Sequence, residues 1–178
     1  MKSKTIILLT VFLCLVFGFA LDSLSRPHDE PSPVHVMYAL QYEGCITGEC
    51  DQQFLNAVGL YGNHNYCAAF VSYVLSLGYV EKPNVRSGRA VDFVTRHSID
   101  YRQIVRGQYT IQNGDILVWT QNASHVGISI ERWNGISGQT IEGNTTNPDE
   151  SNVRGVFIKT RSFHPGSYFR PRYVTPVK

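Results

Sequence analysis

The stretch NYCAAFVSYVLSLG, residues 65–78, is apolar nearly all the way around a helix and is the clearest single element in the sequence. Asn65 is a good residue for capping the start of a helix, and Gly78 is typical of a residue at which a helix ends. A helix that lacks a polar face is buried. The stretch therefore predicts a short, buried helix that carries Cys67 in its first turn.

Shorter patterns around this stretch predict helices first and strands afterwards. Apolar residues recur at helical spacing in the segments 34–42, 51–58 and 89–97. After about Tyr101, short β-branched and aromatic runs are separated by Asn-Gly turn signals. These runs predict strands at 116–119, 126–133, 139–141, 156–159 and 168–174. Helices followed by strands are typical of an α+β fold with an antiparallel sheet.

The composition fits one globular domain and excludes some classes of function. The chain has 178 residues, of which 43% are hydrophobic, and a formal net charge of +2. Its charged fraction of 17% is low, whereas disordered chains and nucleic-acid-binding domains carry more charge. We therefore expect no nucleic-acid partner.

The N-terminus has the pattern of a secretory signal peptide. Lys2 and Lys4 precede an apolar run over 6–19, and the small residues Gly18 and Ala20 predict cleavage after Ala20. An uncleaved anchor is the alternative, but the run is shorter than the ~20 residues that a spanning helix needs. We expect a secreted or periplasmic protein without stable membrane insertion after cleavage. The predicted parts are a signal peptide (1–20), a flexible leader (21–33) and the domain (34–178).

Three cysteines follow the signal sequence. Export permits disulfides, and Cys45 and Cys50 flank a short segment that a local bridge would close. That pairing leaves Cys67 as an unpaired and reactive thiol. In the alternative, Cys67 pairs with one of the other two cysteines and is structural.

The position of Cys67 in a first helical turn suits a nucleophile. A free thiol titrates near ~8.5, and a helix N-terminus or a neighbouring imidazolium lowers that pKa. The N–H groups of the same turn are also suited to bind the oxyanion of a tetrahedral intermediate. The alternative is an inert cysteine in the core, because free cysteine is often buried.

A histidine and a polar pair later in the chain complete a candidate site. His125 begins a predicted strand and is suited to act as the base, with His64 as the main alternative. Glu142 and Asn144 are predicted to share one face of a strand, where either would fix the histidine tautomer. A plain polar turn around Gly143 is the alternative for this segment.

Taken together, these motifs resemble the CHAP family. They are NYCAAFV at 65–71, GDI at 114–116, SHVG at 124–127 and IEGN at 141–144. CHAP proteins are cysteine, histidine-dependent amidohydrolases and peptidases of cell walls and phage lysins. The resemblance covers roughly Val34 to the C-terminus. It implies a papain-like α+β fold, with N-terminal helices packed on a C-terminal antiparallel β-sheet.

The resemblance also implies roles for individual residues. Cys67 would be the nucleophile, His125 the base, and Glu142 the residue that orients it, with Asn144 as an accessory or alternative third member. Tyr66 stands where family members often have tryptophan, a departure that keeps an aromatic side chain before the cysteine.

Two further expectations concern the substrate groove and the residue before the histidine. Ser124 stands where a glycine often precedes the histidine, and this change removes no reacting group. Tyr66 and Trp119 are expected to line a groove for peptide stems, with core packing as the alternative.

The expected activity is hydrolysis of an amide bond in bacterial peptidoglycan by an exported monomer. The bond would be either the N-acetylmuramoyl-L-alanine amide or a peptide crosslink, which correspond to an amidase or an endopeptidase. The alternative is a non-catalytic peptidoglycan-binding module on the same scaffold. No cofactor or metal is expected, because zinc sites usually pair their ligands closely in sequence and neither Cys67 nor His125 has such a partner.

Overall fold

The computed structural model describes residues 31–78, 85–120, 124–162 and 171–177. Its helices are α1 (Val34–Leu40), α2 (Asp51–Ala57), α3 (Cys67–Gly78) and α4 (Tyr101–Val105), with a 3-10 helix at Ala90–Phe93. They belong to one unit that begins at Ser32. The predicted signal peptide and most of the predicted leader lie outside the described residues.

The strands form a six-stranded antiparallel sheet. They are β1 (Ile99–Asp100), β2 (Ile116–Trp119), β3 (His125–Ser129), β4 (Ser137–Thr146), β5 (Arg154–Ser162) and β6 (Tyr173–Thr175). Their order across the sheet is β1-β6-β2-β3-β4-β5. N-terminal helices followed by an antiparallel sheet confirm the predicted α+β class.

Helix α3 is the central element, because it packs against α1 and α2 as well as strands β3 and β4. Its residues from Cys67 to Ser72 are all buried. The one polar side chain among them is satisfied locally, since the Ser72 hydroxyl donates to Ser87 O and accepts from Ser87 N at 2.9 Å each. A helix with no polar face therefore lies between two layers, as its sequence predicts.

An aromatic cluster joins α2 to α3. The Phe54 ring is fully buried and lies 5.1 Å from Tyr42, 5.2 Å from Phe70, 5.3 Å from Tyr73 and 6.0 Å from Tyr66, measured between ring centroids. Edge-on and tilted contacts of this kind are the favourable arrangements of aromatic pairs. The cluster holds the N-terminal turn of α3 in a fixed position.

A disulfide between Cys45 and Cys50 lies beside the sheet, with a Cα–Cα distance of 6.3 Å. The backbone around it pairs with β5, because Val156 N donates to Cys45 O at 2.9 Å and Thr47 N donates to Arg154 O at 2.8 Å. The first half of the loop between the two cysteines is thus fixed to the sheet.

The prediction of a helix at 89–97 is wrong except for one short turn. Only Ala90–Phe93 is helical, as a 3-10 helix, and Val94 has an extended backbone. Side-chain hydroxyls bind the backbone beyond this point: Ser98 Oγ accepts from Thr95 N at 2.8 Å, and Thr95 Oγ1 accepts from His97 N at 3.2 Å. Such local bonds compete with helix formation.

Helix α4 was not predicted, although its signal is present in the sequence. Asp100 and Gln103 form a capping box, in which Arg102 N donates to Asp100 Oδ1 at 2.7 Å and Asp100 N donates to Gln103 Oε1 at 3.0 Å. This Asp-x-x-Gln spacing marks the start of a helix.

Within the described ranges, no helix is both long and apolar enough to cross a bilayer.

Removing the central ring of the aromatic cluster tests the packing of α3. We expect Phe54→Ala to lower the free energy of unfolding by about 3–5 kcal/mol, because a fully buried ring leaves a cavity. The control is Val105→Ala, at a side chain that is 51% exposed, which should change stability by less than ~0.5 kcal/mol. Urea denaturation measures both, and equal small effects would contradict the packing described.

Candidate active site

Cys67 is the first residue of α3 and has a free thiol, while the other described cysteines are bridged. The first turn closes through Phe70 N, which donates to Tyr66 O at 2.8 Å. Burial alone raises the pKa of the Cys67 thiol. The hydrogen bond and charge of His125, with backbone N–H groups of Val126 and Ala68, outweigh burial and lower this pKa below its usual value. The thiolate is therefore favoured.

His125 is the first residue of β3, where it pairs with Trp119 of β2. Its Nε2 donates to Glu142 Oε2 at 2.9 Å, and its ring is also hydrogen-bonded to Cys67. Because Glu142 occupies Nε2, the other ring nitrogen, Nδ1, remains for the sulfur. The His125 side chain is 22% exposed, so the site is open to solvent at the imidazole.

The protonation of the pair follows from these contacts. Burial lowers the pKa of His125, but the hydrogen bonds to Cys67 and Glu142 and their negative charges raise it to about 9. The thiol pKa is lowered at the same time. Both shifts favour transfer of the shared proton from the Cys67 thiol to His125, which gives a thiolate and an imidazolium.

Glu142 lies on β4 and its side chain has no exposed surface. Besides His125, it accepts from Thr140 Oγ1 at 2.7 Å and from Arg161 Nε at 2.7 Å, and Arg161 Nη2 donates to its other oxygen. Burial raises the pKa of this carboxyl, but His125 and Arg161 lower it well below its usual range. Glu142 is therefore ionised beside the His125 imidazolium, and it fixes the orientation of the imidazole.

Two glycines allow these elements to approach closely. A Cβ at Gly127 of β3 would lie 2.7 Å from Glu142 Cγ, and a Cβ at Gly143 would lie 2.7 Å from Phe70 Cβ on α3. The missing side chain at Gly127 leaves room for the Glu142 carboxylate beside β3. The missing side chain at Gly143 lets β4 contact α3. The glycines in the SHVG and IEGN motifs thus have a steric reason.

The expectation that Glu142 and Asn144 share one face of the strand is wrong. A bulge interrupts β4 between Glu142 and Thr145, and Asn144 has a φ of 55°. Its side-chain amide donates to Asn65 Oδ1 at 3.0 Å, just ahead of the Cys67 helix, and its carbonyl accepts from Arg154 Nη2 at 2.6 Å. Of the two candidate third members, Glu142 is the one that reaches His125.

The two aromatic residues expected in the substrate groove are buried. Tyr66 has no exposed surface, and its hydroxyl is hydrogen-bonded to Thr47 Oγ1 at 2.9 Å. Trp119 is 4% exposed and lies 5.6 Å from the His125 ring, with the Arg161 guanidinium 5.5 Å from its ring centroid. Both rings therefore support the site from within, which differs from the expected contact with substrate.

The other described histidines do not take the place of His125. His64 is exposed, His97 accepts from Arg96 Nε at 3.0 Å, and His35 is buried against Gly114 O at 2.8 Å. Across the described ranges, no group of three or more His, Cys, Asp or Glu side chains is arranged to hold a metal ion.

A buried helix that carries a cysteine, packed on an antiparallel sheet that carries a histidine, is the papain-like arrangement expected from the sequence. Residues 59–144 match the CHAP domain model, and this range includes Cys67, His125 and Glu142. The resemblance seen in the sequence is therefore confirmed over residues 59–144. The CHAP family is one of peptidoglycan hydrolases.

Two further comparisons were made, with curated proteins and with solved structures. The search of curated proteins finds no match. Among solved structures, a similar one is titled "Crystal structure of a wild type endolysin LysIME-EF1", with 16% sequence identity and a TM-score of 0.47. The similarity covers 72% of this chain and 57% of that chain, so this protein spans little more than half of the endolysin's length.

Alkylation of the free protein tests the thiolate. Because the pKa of Cys67 is lowered, the rate of alkylation by iodoacetamide should reach half of its plateau at a lower pH than it does for an ordinary thiol. In His125→Ala the imidazolium is lost while the thiol stays buried, so the midpoint should move to a higher pH, at or above the ~8.5 of an ordinary thiol. Intact-protein mass spectrometry measures both rates, and an ordinary midpoint in the unaltered protein would contradict the ion pair.

Proposed function

We propose that this protein is an exported cysteine hydrolase that cleaves an amide bond in bacterial peptidoglycan. The observation that carries the proposal is the hydrogen-bonded series Cys67–His125–Glu142, which joins a helix N-terminus to the sheet. Nucleophile, base and orienting group in this order are the parts that acyl transfer requires. The CHAP match supports peptidoglycan as the substrate.

Acylation follows from the protonation state of the pair. The Cys67 thiolate attacks the amide carbonyl carbon, a C–S bond forms, and the carbonyl oxygen becomes an oxyanion beside the first-turn N–H groups of α3. His125, as imidazolium, then gives its proton to the amide nitrogen. The C–N bond breaks, the amine leaves, and a thioester on Cys67 remains with a neutral His125.

Deacylation reverses the role of the histidine. Neutral His125 takes a proton from water while the water oxygen attacks the thioester carbon. The C–S bond breaks, a carboxylic acid leaves, and the thiolate–imidazolium pair is restored. Glu142 holds Nε2–H throughout, so that Nδ1 faces the reacting atoms.

The proposed bond is either the amide between N-acetylmuramic acid and L-alanine or an amide of a peptide crosslink. Both present a carbonyl carbon and a nitrogen leaving group, which is all that the series requires. The proposed location is the periplasm or the cell exterior, where the signal-like N-terminus would direct the chain. The Cys45–Cys50 disulfide supports this location, because disulfides persist in oxidising compartments.

Replacing the nucleophile tests the proposal. In Cys67→Ala and Cys67→Ser we expect release of soluble fragments from purified peptidoglycan to fall at least ~10³-fold, because neither side chain forms a thiolate. The matched control is Ser76→Ala, near the exposed end of the same helix, which should keep normal activity. Mass spectrometry of the fragments identifies the bond.

Two results would contradict the proposal. Wild-type turnover in either Cys67 variant would remove the thiol from the mechanism. Binding to peptidoglycan without release of fragments by the unaltered protein would instead establish a binding module.

The pH dependence of cleavage gives an independent test. The value of kcat/KM should rise as the thiolate–imidazolium pair forms, at a pH below that of an ordinary thiol. It should fall again above about pH 9, because His125 then loses the proton that the leaving amine needs. Activity that rises steadily past pH 10 would contradict the role of His125 as the acid.

A further inference from the structure

Arg161 lies near the end of the edge strand β5 and faces the buried carboxylate from the side opposite His125's strand. Its Nε donates to Glu142 Oε1 at 2.7 Å, and its Nη2 donates to Glu142 Oε2. The guanidinium also lies 5.5 Å from the ring centroid of Trp119, and the side chain is only 16% exposed. Neither the motifs nor the family resemblance assigns this arginine a role.

We propose that Arg161 is a positioning residue that keeps Glu142 ionised while His125 is neutral, and that it thereby speeds hydrolysis of the thioester. This inference rests on the proposed function, because it concerns one step of that reaction.

The charge on the catalytic pair changes during the cycle, and the environment of Glu142 changes with it. In the free protein and during attack, the His125 imidazolium lies 2.9 Å from the carboxylate and balances its charge. Once the amine has taken the proton, His125 is neutral. Glu142 would then be a fully buried anion without a cation, and such a group tends to take up a proton.

Arg161 supplies the missing cation. A guanidinium stays protonated at any pH at which the protein is folded, so its charge does not change during the cycle. The hydroxyl of Thr140 donates a further bond to Glu142, but it carries no charge. Arg161 is therefore the partner that can stabilise the carboxylate in the thioester state.

The protonation of Glu142 decides which histidine tautomer is present. An ionised Glu142 accepts from Nε2–H and leaves the Nδ1 lone pair available for the water proton. A protonated Glu142 would donate to Nε2, and the histidine proton would then lie on Nδ1, where no base remains. Loss of Arg161 should therefore slow deacylation more than acylation.

The shape of the contact favours arginine over lysine. The two N–H groups reach both carboxylate oxygens in a fork, and the flat guanidinium can also pack on the Trp119 ring. A lysine at this position would keep the charge but lose the fork. Turnover with lysine at position 161 should therefore lie between turnover with arginine and turnover with a neutral residue.

The test compares Arg161→Gln, Arg161→Lys and the unaltered protein on soluble muropeptides. In Arg161→Gln we expect steady-state turnover to fall about 10- to 100-fold, the loss typical of removing charge-assisted hydrogen bonds. Acyl-enzyme should accumulate, which intact-protein mass spectrometry after an acid quench detects as added mass on Cys67. Arg161→Lys should lose less turnover and accumulate less acyl-enzyme than Arg161→Gln.

A matched control removes a different cation from the same strand. Lys159 lies two residues earlier on β5, and its ammonium group donates to Thr146 O at 3.0 Å. Lys159→Gln should retain normal turnover and show no additional acyl-enzyme. This control separates a specific effect of Arg161 from the general loss of a positive charge on β5.

A double variant tests whether Arg161 acts through Glu142. In a Glu142→Gln background the carboxylate is absent, so adding Arg161→Gln should cause no further loss of turnover. Losses that multiply in the double variant would overturn the proposal. Wild-type turnover in Arg161→Gln, or lower turnover without extra acyl-enzyme, would also overturn it.

The outcome for the unaltered protein distinguishes this inference from the proposed function. If the unaltered protein releases fragments and Arg161→Gln behaves identically, only the role of Arg161 fails. If the unaltered protein neither releases fragments nor forms an acyl-enzyme, the proposed function fails and the role of Arg161 fails with it.

Discussion

The structure of the site depends on one line of alternating charges, from the Cys67 sulfur through His125 and Glu142 to Arg161. Each charge is stabilised by the next. The Glu142 side chain has no exposed surface, so it stays ionised only because a cation lies on each side of it. Removing one member leaves its neighbour buried with an uncompensated charge. The fold must therefore bring a helix and three strands together within hydrogen-bonding distance.

The elements around this line are arranged so that each supplies one part of it. Helix α3 supplies the sulfur, β3 the imidazole, β4 the carboxylate and β5 the guanidinium. Because β3, β4 and β5 are neighbours in the sheet, His125, Glu142 and Arg161 lie in a row across the strands. The absence of a Cβ at Gly127 leaves room for the Glu142 side chain.

Much of this arrangement could be predicted from the sequence, because the strongest patterns are local. The apolar stretch at 65–78 determines a buried helix, and strand β2 has the bounds that its apolar run predicts. The bulge at Asn144 was not predicted: asparagine tolerates a positive φ, but the Asn65 and Arg154 side chains that bind Asn144 in this conformation are distant in sequence. Arg161 was missed because its partner lies on another strand, 19 residues away.

The central claim is that the proton shared by Cys67 and His125 resides on the histidine in the free protein. Nitrogen NMR of the labelled His125 ring measures this most directly, because the two ring nitrogens have similar shifts when both are protonated. The account predicts that both ring nitrogens keep their protons at neutral pH and that one is lost at about pH 9. A neutral His125 ring at pH 7, together with a protonated thiol, would contradict it.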